Sequence, residues 1–254
     1  MNESKIELGV IDILKASVMG SERSRSKTIH CTQITGPCIR KPYYELQGEP
    51  QERNYESQVV MKLGTIVHEL IVLNENTNEM SLAGNIRNMQ YLDPKKINHF
   101  NFFDCISGKI DDIVEIDGEP VLVDKKTYSS VTKKSAEDKE AKVYFKFEKR
   151  EVDEDYVFQL NEYMLLYYLK TGIIIKKGVI VYLDTATRFA RPRAFEVCLK
   201  SPEEVQKMVL EKLDILKSGK LPDRSVSWRC NYTCPYKSIC KPEEDPKFEE
   251  LTKR

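Results

Sequence analysis

The stretch from residue 105 to 127 constrains the chain most: two short β-rich runs, CISGKIDDIVEI and PVLVDKKT, are joined through Asp117-Gly118. An Asp-Gly pair between apolar runs is a strong signal for a tight hairpin turn, so the pattern predicts two antiparallel strands. Asp111 falls near the middle of the first, and Asp124 and Lys126 stand two apart on the second. Side chains alternate along a strand, so Asp124 and Lys126 project from one face while Lys125 points away. Two carboxylates and an amine then converge. An oxygen-rich site of this kind suits Mg²⁺ or Mn²⁺, which activates water and neutralises charge on a phosphate under attack. A lysine beside it can orient or deprotonate that water and stabilise the pentacovalent state. An exposed charged hairpin carries the same bare Asp-x-Lys triplet, so the chemistry needs support from the rest of the chain.

On either side the periodicity is helical. Val59, Leu63, Ile66, Leu70 and Leu73 recur at helical spacing between Glu56 and Leu73 and predict one packed helix. His68 lies opposite the stripe of Leu63, Ile66 and Leu70, which leaves it as a surface residue or as a metal ligand. Tyr156 to Lys170 is again helical, with Leu160, Met164 and Tyr167 on one stripe and Gly172 as its stop. GVIVYLDT at 178 to 185 and RAFEVCLK at 193 to 200 read as two more strands. Ser201-Pro202-Glu203-Glu204 combines an N-cap serine, a proline at the first helical position and a reciprocal glutamate, so a helix should run to about Lys217. Helices alternating with strands in this order give a mixed α/β fold. A length of 254 residues, 41% of them hydrophobic, supports one substantial core, so 1–254 is expected to be a single domain. A polar, basic arm at 1–34 and a charged insertion at 133–154 are set apart by losing periodicity.

Lys plus Arg and Asp plus Glu both number 40, so any basic track for nucleic acid must be local. The start MNESKIELGV lacks the charged onset and apolar run of a signal peptide, and no stretch approaches the ~18 apolar residues of a membrane span, so a cytoplasmic protein without a membrane partner is expected. Seven cysteines in such a chain are better explained by reduced thiols or metal ligands than by disulfides. WRCNYTCPYKSIC brings Cys230, Cys234 and Cys240 within eleven residues, and three thiols so close need a fourth ligand to close a four-coordinate site. Cys38 in GPCIRKPYYELQG is the choice, with Cys31 as its rival. Spacing alone allows zinc or a 4Fe-4S cluster. Cys105 and Cys198 lie inside strand patterns and are expected as buried thiols. Beside Cys38, Arg40, Tyr43 and Tyr44 offer a cation and stacking faces to a DNA strand, or else pack a turn.

SGKIDDIVE at 107 to 115, VLVDKKT at 121 to 127 and QLNEY at 159 to 163 resemble, in order and spacing, motifs of the RecB-like PD-(D/E)XK nucleases. The resemblance implies an α/β nuclease core with a central mixed sheet flanked by helices. It implies that Asp111 and Asp124 bind the metal with the backbone carbonyl of Lys125, that Lys126 is the catalytic lysine, and that Gln159 and Tyr163 form a Gln-x-x-x-Tyr motif. The glycine and histidine of GTIVHELI match the family's first motif and imply His68 as a further ligand, which tilts preference from Mg²⁺ toward Mn²⁺. One distant N-terminal cysteine joined to three C-terminal ones is similar to the iron-sulfur members, in which a 4Fe-4S cluster on Cys38, Cys230, Cys234 and Cys240 staples segment 225–245 to the N-terminal side. Among these the chain looks most like the CRISPR-associated Cas-four exonucleases, through Cys38, Arg40 and the tyrosines that follow. That implies cleavage of single-stranded DNA ends and a partnership with the spacer integrase, and it leaves an oligomer open. The rival readings are a catalytically weak DNA-binding adaptor, a virus-borne relative and a zinc-stapled interaction module. No GxxxxGK[ST] occurs, so unwinding would fall to another protein.

Overall fold

The computed structural model describes residues 28–36, 38–52, 55–97, 102–128, 152–185, 192–226, 230 and 234–248. Most of the N-terminal arm and residues 133–151 of the charged insertion lie outside them. The chain divides into two compact units, one holding Pro37–Ile66 and Ile215–Arg254, the other Lys27–Gly36 and Val67–Asp214. In chain order the elements are β1 (Ile29–His30), α1 (Cys31–Ile34), α2 (Arg40–Gln47), α3 (Tyr55–Leu70), β2 (Met80–Asn85), β3 (Gln90–Leu92), β4 (Cys105–Ile110) and β5 (Asp112–Ile116). They continue with β6 (Glu119–Tyr128), α4 (Glu154–Thr171), β7 (Lys177–Asp184), β8 (Arg193–Cys198), α5 (Pro202–Lys217) and α6 (Lys237–Cys240).

The strands form two four-stranded mixed sheets, β1-β4-β2-β3 and β5-β6-β7-β8, where the sequence suggested one central sheet. The run from 105 to 116 is therefore two strands of different sheets, and Asp111 sits at the break between them rather than in mid-strand. The reason lies in Asp111 and Asp112, which are both buried although they point to opposite faces, so each needs polar partners that a continuous ladder would not supply. Only β5 pairs with β6, from Asp112↔Val123 to Ile116↔Glu119, closed by Asp117 and Gly118 at φ 53° and 78°. Both turn residues in the left-handed region are what the tightest hairpin loop requires.

Helix α4 fills the core of its unit, packing on β2, β3, β4 and β6. Its apolar stripe is only part of the account: Phe158 through Leu166 are all buried, including Gln159, Asn161 and Glu162. Buried amides and acids demand hydrogen bonds, and Asn161 spends its own on Lys200 N (2.7 Å) and the Val157 carbonyl (2.8 Å). Gly172 ends the helix in the left-handed conformation at φ 74°. Helix α5 starts on the expected box, with Glu204 N donating to Ser201 Oγ and Ser201 N to Glu204 Oε2, and buries Val205, Val209 and Leu213. Helix α3 departs from expectation. Leu63, Ile66, Leu70 and Leu73 are exposed, and Val67 is its buried residue. Apolar periodicity tells which side chains share a face, not whether that face has a partner. Cys198 also differs, being exposed at the end of β8, whereas Cys105 is fully buried as expected. No described helix is long and apolar enough to cross a membrane.

Candidate active site and cysteine centre

The break at Asp111 frees its carboxylate from the ladder and lets two neighbours orient it. Oδ2 accepts from the Lys125 backbone amide at 2.6 Å, and Oδ1 lies 2.9 Å from His68 Nδ1. The antiparallel pairing of β2 with β4 runs to Met80↔Ile110, so the next residue back, Glu79, falls opposite Asp111 and donates its backbone N–H to the Asp111 carbonyl at 3.1 Å. Glu79 Oε1 is 3.9 Å from His68 Nδ1, and Oε2 is held 2.8 Å from Lys109 Nζ. His68, Glu79 and Asp111 thus each offer a ligand atom within 4.8 Å of one another. Glu79 was missed in the sequence because it sits in the Asn-rich stretch NENTNE, which reads as a loop. Only the β2–β4 register brings it to the site, and its φ of 53° marks the sharp entry into the strand.

Asp124 projects from β6 and is 1% exposed. Burial pushes its pKa up to about 6, Lys126 opposes the rise, and the Asp111 carboxylate adds to it. Lys126 Nζ stands 3.0 Å from Oδ1 and 2.8 Å from Oδ2, the second contact off the line of a good hydrogen bond, so buried Oδ2 has no hydrogen-bond partner among the described residues. Lys126 also donates to Gln159 Oε1 (2.8 Å), Gln159 Nε2 donates to Tyr163 Oη (2.6 Å), and the Tyr156 ring lies 4.8 Å from Nζ. Burial holds the pKa of the Tyr163 hydroxyl well above its ordinary value, so the phenol stays protonated. The residues singled out from the sequence for this site fall into two bonded sets, His68 with Asp111 and Asp124 with Lys126, Gln159 and Tyr163, near enough for the charges of Asp111 and His68 to act on Asp124. Lys125 contributes its backbone amide to Asp111 while its side chain points away. The imidazole of His68 and the carboxylates of Glu79 and Asp111, with Asp124 outside that group but beside it, are a donor set that fits a divalent cation of the Mg²⁺ or Mn²⁺ kind.

In the other unit Cys38, Cys230, Cys234 and Cys240 line one cavity together with Arg40, Lys41, Arg224 and Lys237. Burial pushes the Cys38 thiol up, and the charges of Cys230 and Cys240 add to it. Cys234 is pushed up by burial with Cys38 and Cys230 adding, so the sulfurs sense one another. Four thiols ringed by cations fit a thiolate-ligated centre, whose negative charge the cations would offset. Cys31 is not among them: it is fully buried in the nuclease-motif unit, where its sulfur packs toward Gly108. Arg40 donates to the Pro222 carbonyl at 2.7 Å and approaches Cys240 Sγ at 3.8 Å. Tyr44 is 7% exposed and packs on Tyr236 and Cys240, so its ring serves the cysteine centre and offers no open stacking face. Tyr43 is partly buried against it, its hydroxyl 3.4 Å from the Gly219 carbonyl.

A family model of the PD-(D/E)XK nuclease superfamily matches residues 86–241, which include Asp111, Asp124, Lys126, Gln159 and Tyr163. Among solved structures, the crystal structure of SSO0001 aligns with a TM-score of 0.54 at 17% identity, covering 91% of this chain and 96% of that chain; the likeness is one of fold. No curated protein matches. Members of the matched superfamily are metal-dependent nucleases that use divalent ions such as Mg²⁺ or Mn²⁺. On that match the chain belongs to the PD-(D/E)XK nuclease superfamily.

Proposed function

We propose that this chain is a metal-dependent deoxyribonuclease of the Cas-four type that trims single-stranded DNA ends in CRISPR spacer acquisition, alongside the spacer integrase. The observation that carries the catalytic part is the buried Asp124 carboxylate, near enough to Asp111 and His68 for their charges to act on it and ion-paired with Lys126, which is tied through Gln159 to Tyr163. A bound divalent ion would supply a water of lowered pKa and neutralise charge on the phosphate. His68, Asp111, Asp124 and the Lys125 carbonyl are its proposed ligands, with Glu79 added by geometry. Lys126, fixed by Asp124 and Gln159, orients the attacking water and faces the charge that builds on the phosphate. The Gln159–Tyr163 pair gives the ammonium a second fixed partner besides Asp124.

The cysteine centre we assign to a 4Fe-4S cluster on Cys38, Cys230, Cys234 and Cys240. Four cysteines lining one cavity, with Arg40, Lys41, Arg224 and Lys237 around them to offset the charge of a thiolate-ligated group, support the assignment.

The test is cleavage of labelled single-stranded and duplex DNA by anaerobically purified protein, with and without Mn²⁺, beside Lys126→Ala. Metal-dependent cleavage of the single strand that vanishes in the variant is the expected result. No cleavage from folded, brown protein would overturn the nuclease reading in favour of a DNA-binding adaptor.

A further inference from the structure

The motifs IDDIV and VDKKT each carry a doubled charge, and alternation along the backbone sends one member of each pair to the reverse side of the site. Asp111, Asp124 and Lys126 are the site's own groups. Asp112 and Lys125 remain, 0% and 1% exposed, with Lys125 Nζ 2.9 Å from Asp112 Oδ2. Removing two charges from water is costly, and apolar residues of similar volume would often hold a fold as well, so a buried pair of this kind calls for an explanation other than stability.

Its contacts supply one. Lys125 Nζ donates to the carbonyls of His68 (3.2 Å) and Ile71 (2.5 Å) and to Asn78 Oδ1 (3.3 Å). The two carbonyls belong to the C-terminal turn of α3, where carbonyls have no helical partner and a cation is favoured. Asp112 Oδ1 accepts from Leu73 N (3.3 Å) and Asn74 N (3.0 Å), fixing the chain just after the helix. Asn78 immediately precedes Glu79, and the backbone amide of Lys125 itself orients Asp111. The Lys125 side chain therefore holds the main chain at His68 and the neighbour of Glu79, while its backbone amide, which any residue but proline would supply, orients the Asp111 carboxylate.

We propose that Lys125, balanced by Asp112, is the positioning residue of the metal site: it sets the mutual geometry of His68, Glu79 and Asp111 and thereby the affinity for the divalent ion. The inference rests on the reading of those three as metal ligands. Groups that orient metal ligands from behind typically change affinity by about 10- to 100-fold when removed.

Two variants separate positioning from folding. Lys125→Met leaves Asp112 as an unpaired buried charge and should lower the melting temperature as well as Mn²⁺ affinity. Asp112→Asn with Lys125→Met keeps both shapes and the acceptor for Leu73 and Asn74 while removing both charges, so it should melt near the parent. Calorimetric titration with Mn²⁺ should nevertheless give a Kd raised about 10- to 100-fold in the double variant, with the Mn²⁺ concentration for half-maximal cleavage rising by the same factor. Parent-like Mn²⁺ affinity in the folded double variant overturns the proposal. If the parent itself neither binds Mn²⁺ nor cleaves, the metal-site reading beneath it has failed instead, and His68→Ala then changes nothing either.

Discussion

Gly108 has no room for a side chain, and the atoms that exclude one belong to the proposed catalytic machinery. A Cβ at this position would stand 2.7 Å from Tyr163 Cε1 and 3.1 Å from both Tyr163 Cδ1 and Cys31 Sγ, where ordinary contact begins at 3.4 Å. In Gly108→Ala the Tyr163 ring must retreat by the difference between 3.4 and 2.7 Å, about 0.7 Å, yet it is 4% exposed and hydrogen-bonded to Gln159. Overpacking of this kind costs roughly 1–3 kcal/mol. For a chain of this size that lowers Tm by roughly 2 to 12 °C. The same shift moves Gln159 and loosens its hold on Lys126, and a displacement near 1 Å at a reacting group costs up to about 100-fold in rate. Thermal melting and single-turnover cleavage of a labelled single strand, measured on one preparation, check both effects. Adding Cys31→Ala should recover part of the stability by removing the sulfur contact, while the ring clash and the rate loss remain. A variant that melts and cleaves like the parent would refute the packing argument; lowered stability at unchanged rate would refute the link from Tyr163 to Lys126.

Three further outcomes are expected. Glu162 is wholly buried, accepts from Thr35 Oγ1 at 2.7 Å, and leaves Oε1 without a hydrogen-bond partner among the described residues; burial pushes its pKa up to about 8. The folded state then binds a proton that the unfolded state releases in the ordinary carboxylate range, so this group's stabilisation is complete at acid pH and is lost as pH rises through about 8. Relative to Glu162→Gln, the parent should lose unfolding free energy, on the order of 4 kcal/mol at most, in denaturant titrations between about pH 5 and pH 9; parallel curves would refute the assignment. Glu79→Ala should weaken Mn²⁺ binding at least 10-fold by calorimetry with little change in Tm, because its side chain is partly exposed and its partners among the described residues are Lys109 and the site. Cys234→Ser should lose both iron, read by absorbance near 400 nm, and thermal stability; unchanged iron content and Tm would remove Cys234 from the ligand set.

Local patterning carried the hairpin, the caps of α4 and α5, and the strands at 178 and 193, since turn chemistry and periodicity are properties of neighbours in sequence. Asp124, Lys125 and Lys126 were legible for the same reason: alternation alone separates their faces. What escaped depended on pairing at a distance. Glu79 joins the site through the register of β2 on β4 and has no local signature. The split at Asp111 follows from two adjacent acids both finding partners, which periodicity cannot express. The stripe on α3 was a sound reading of which residues align and an unsound one of what they meet. Gln159 looked like a surface residue without the family pattern because nothing local signals that a helix is buried all round.

The passage of one chain from β4 into β5 has a kinetic meaning. Asp111 is the point where two sheets of different strand order meet in sequence, and its ligand geometry needs both: β2 laid on β4 to bring Glu79, and β6 laid on β5 to bring the Lys125 amide. The second sheet is closed by the parallel pairing of β6 with β7, which must wait for everything between Tyr128 and Lys177, including α4. Pairings at such separation form slowly, because the loop entropy is lost before the contacts repay it. A partly folded chain can therefore hold one sheet without the other, and the constellation of His68, Glu79 and Asp111, with it the proposed metal site, is complete only once β4 and β5 have both found their partners.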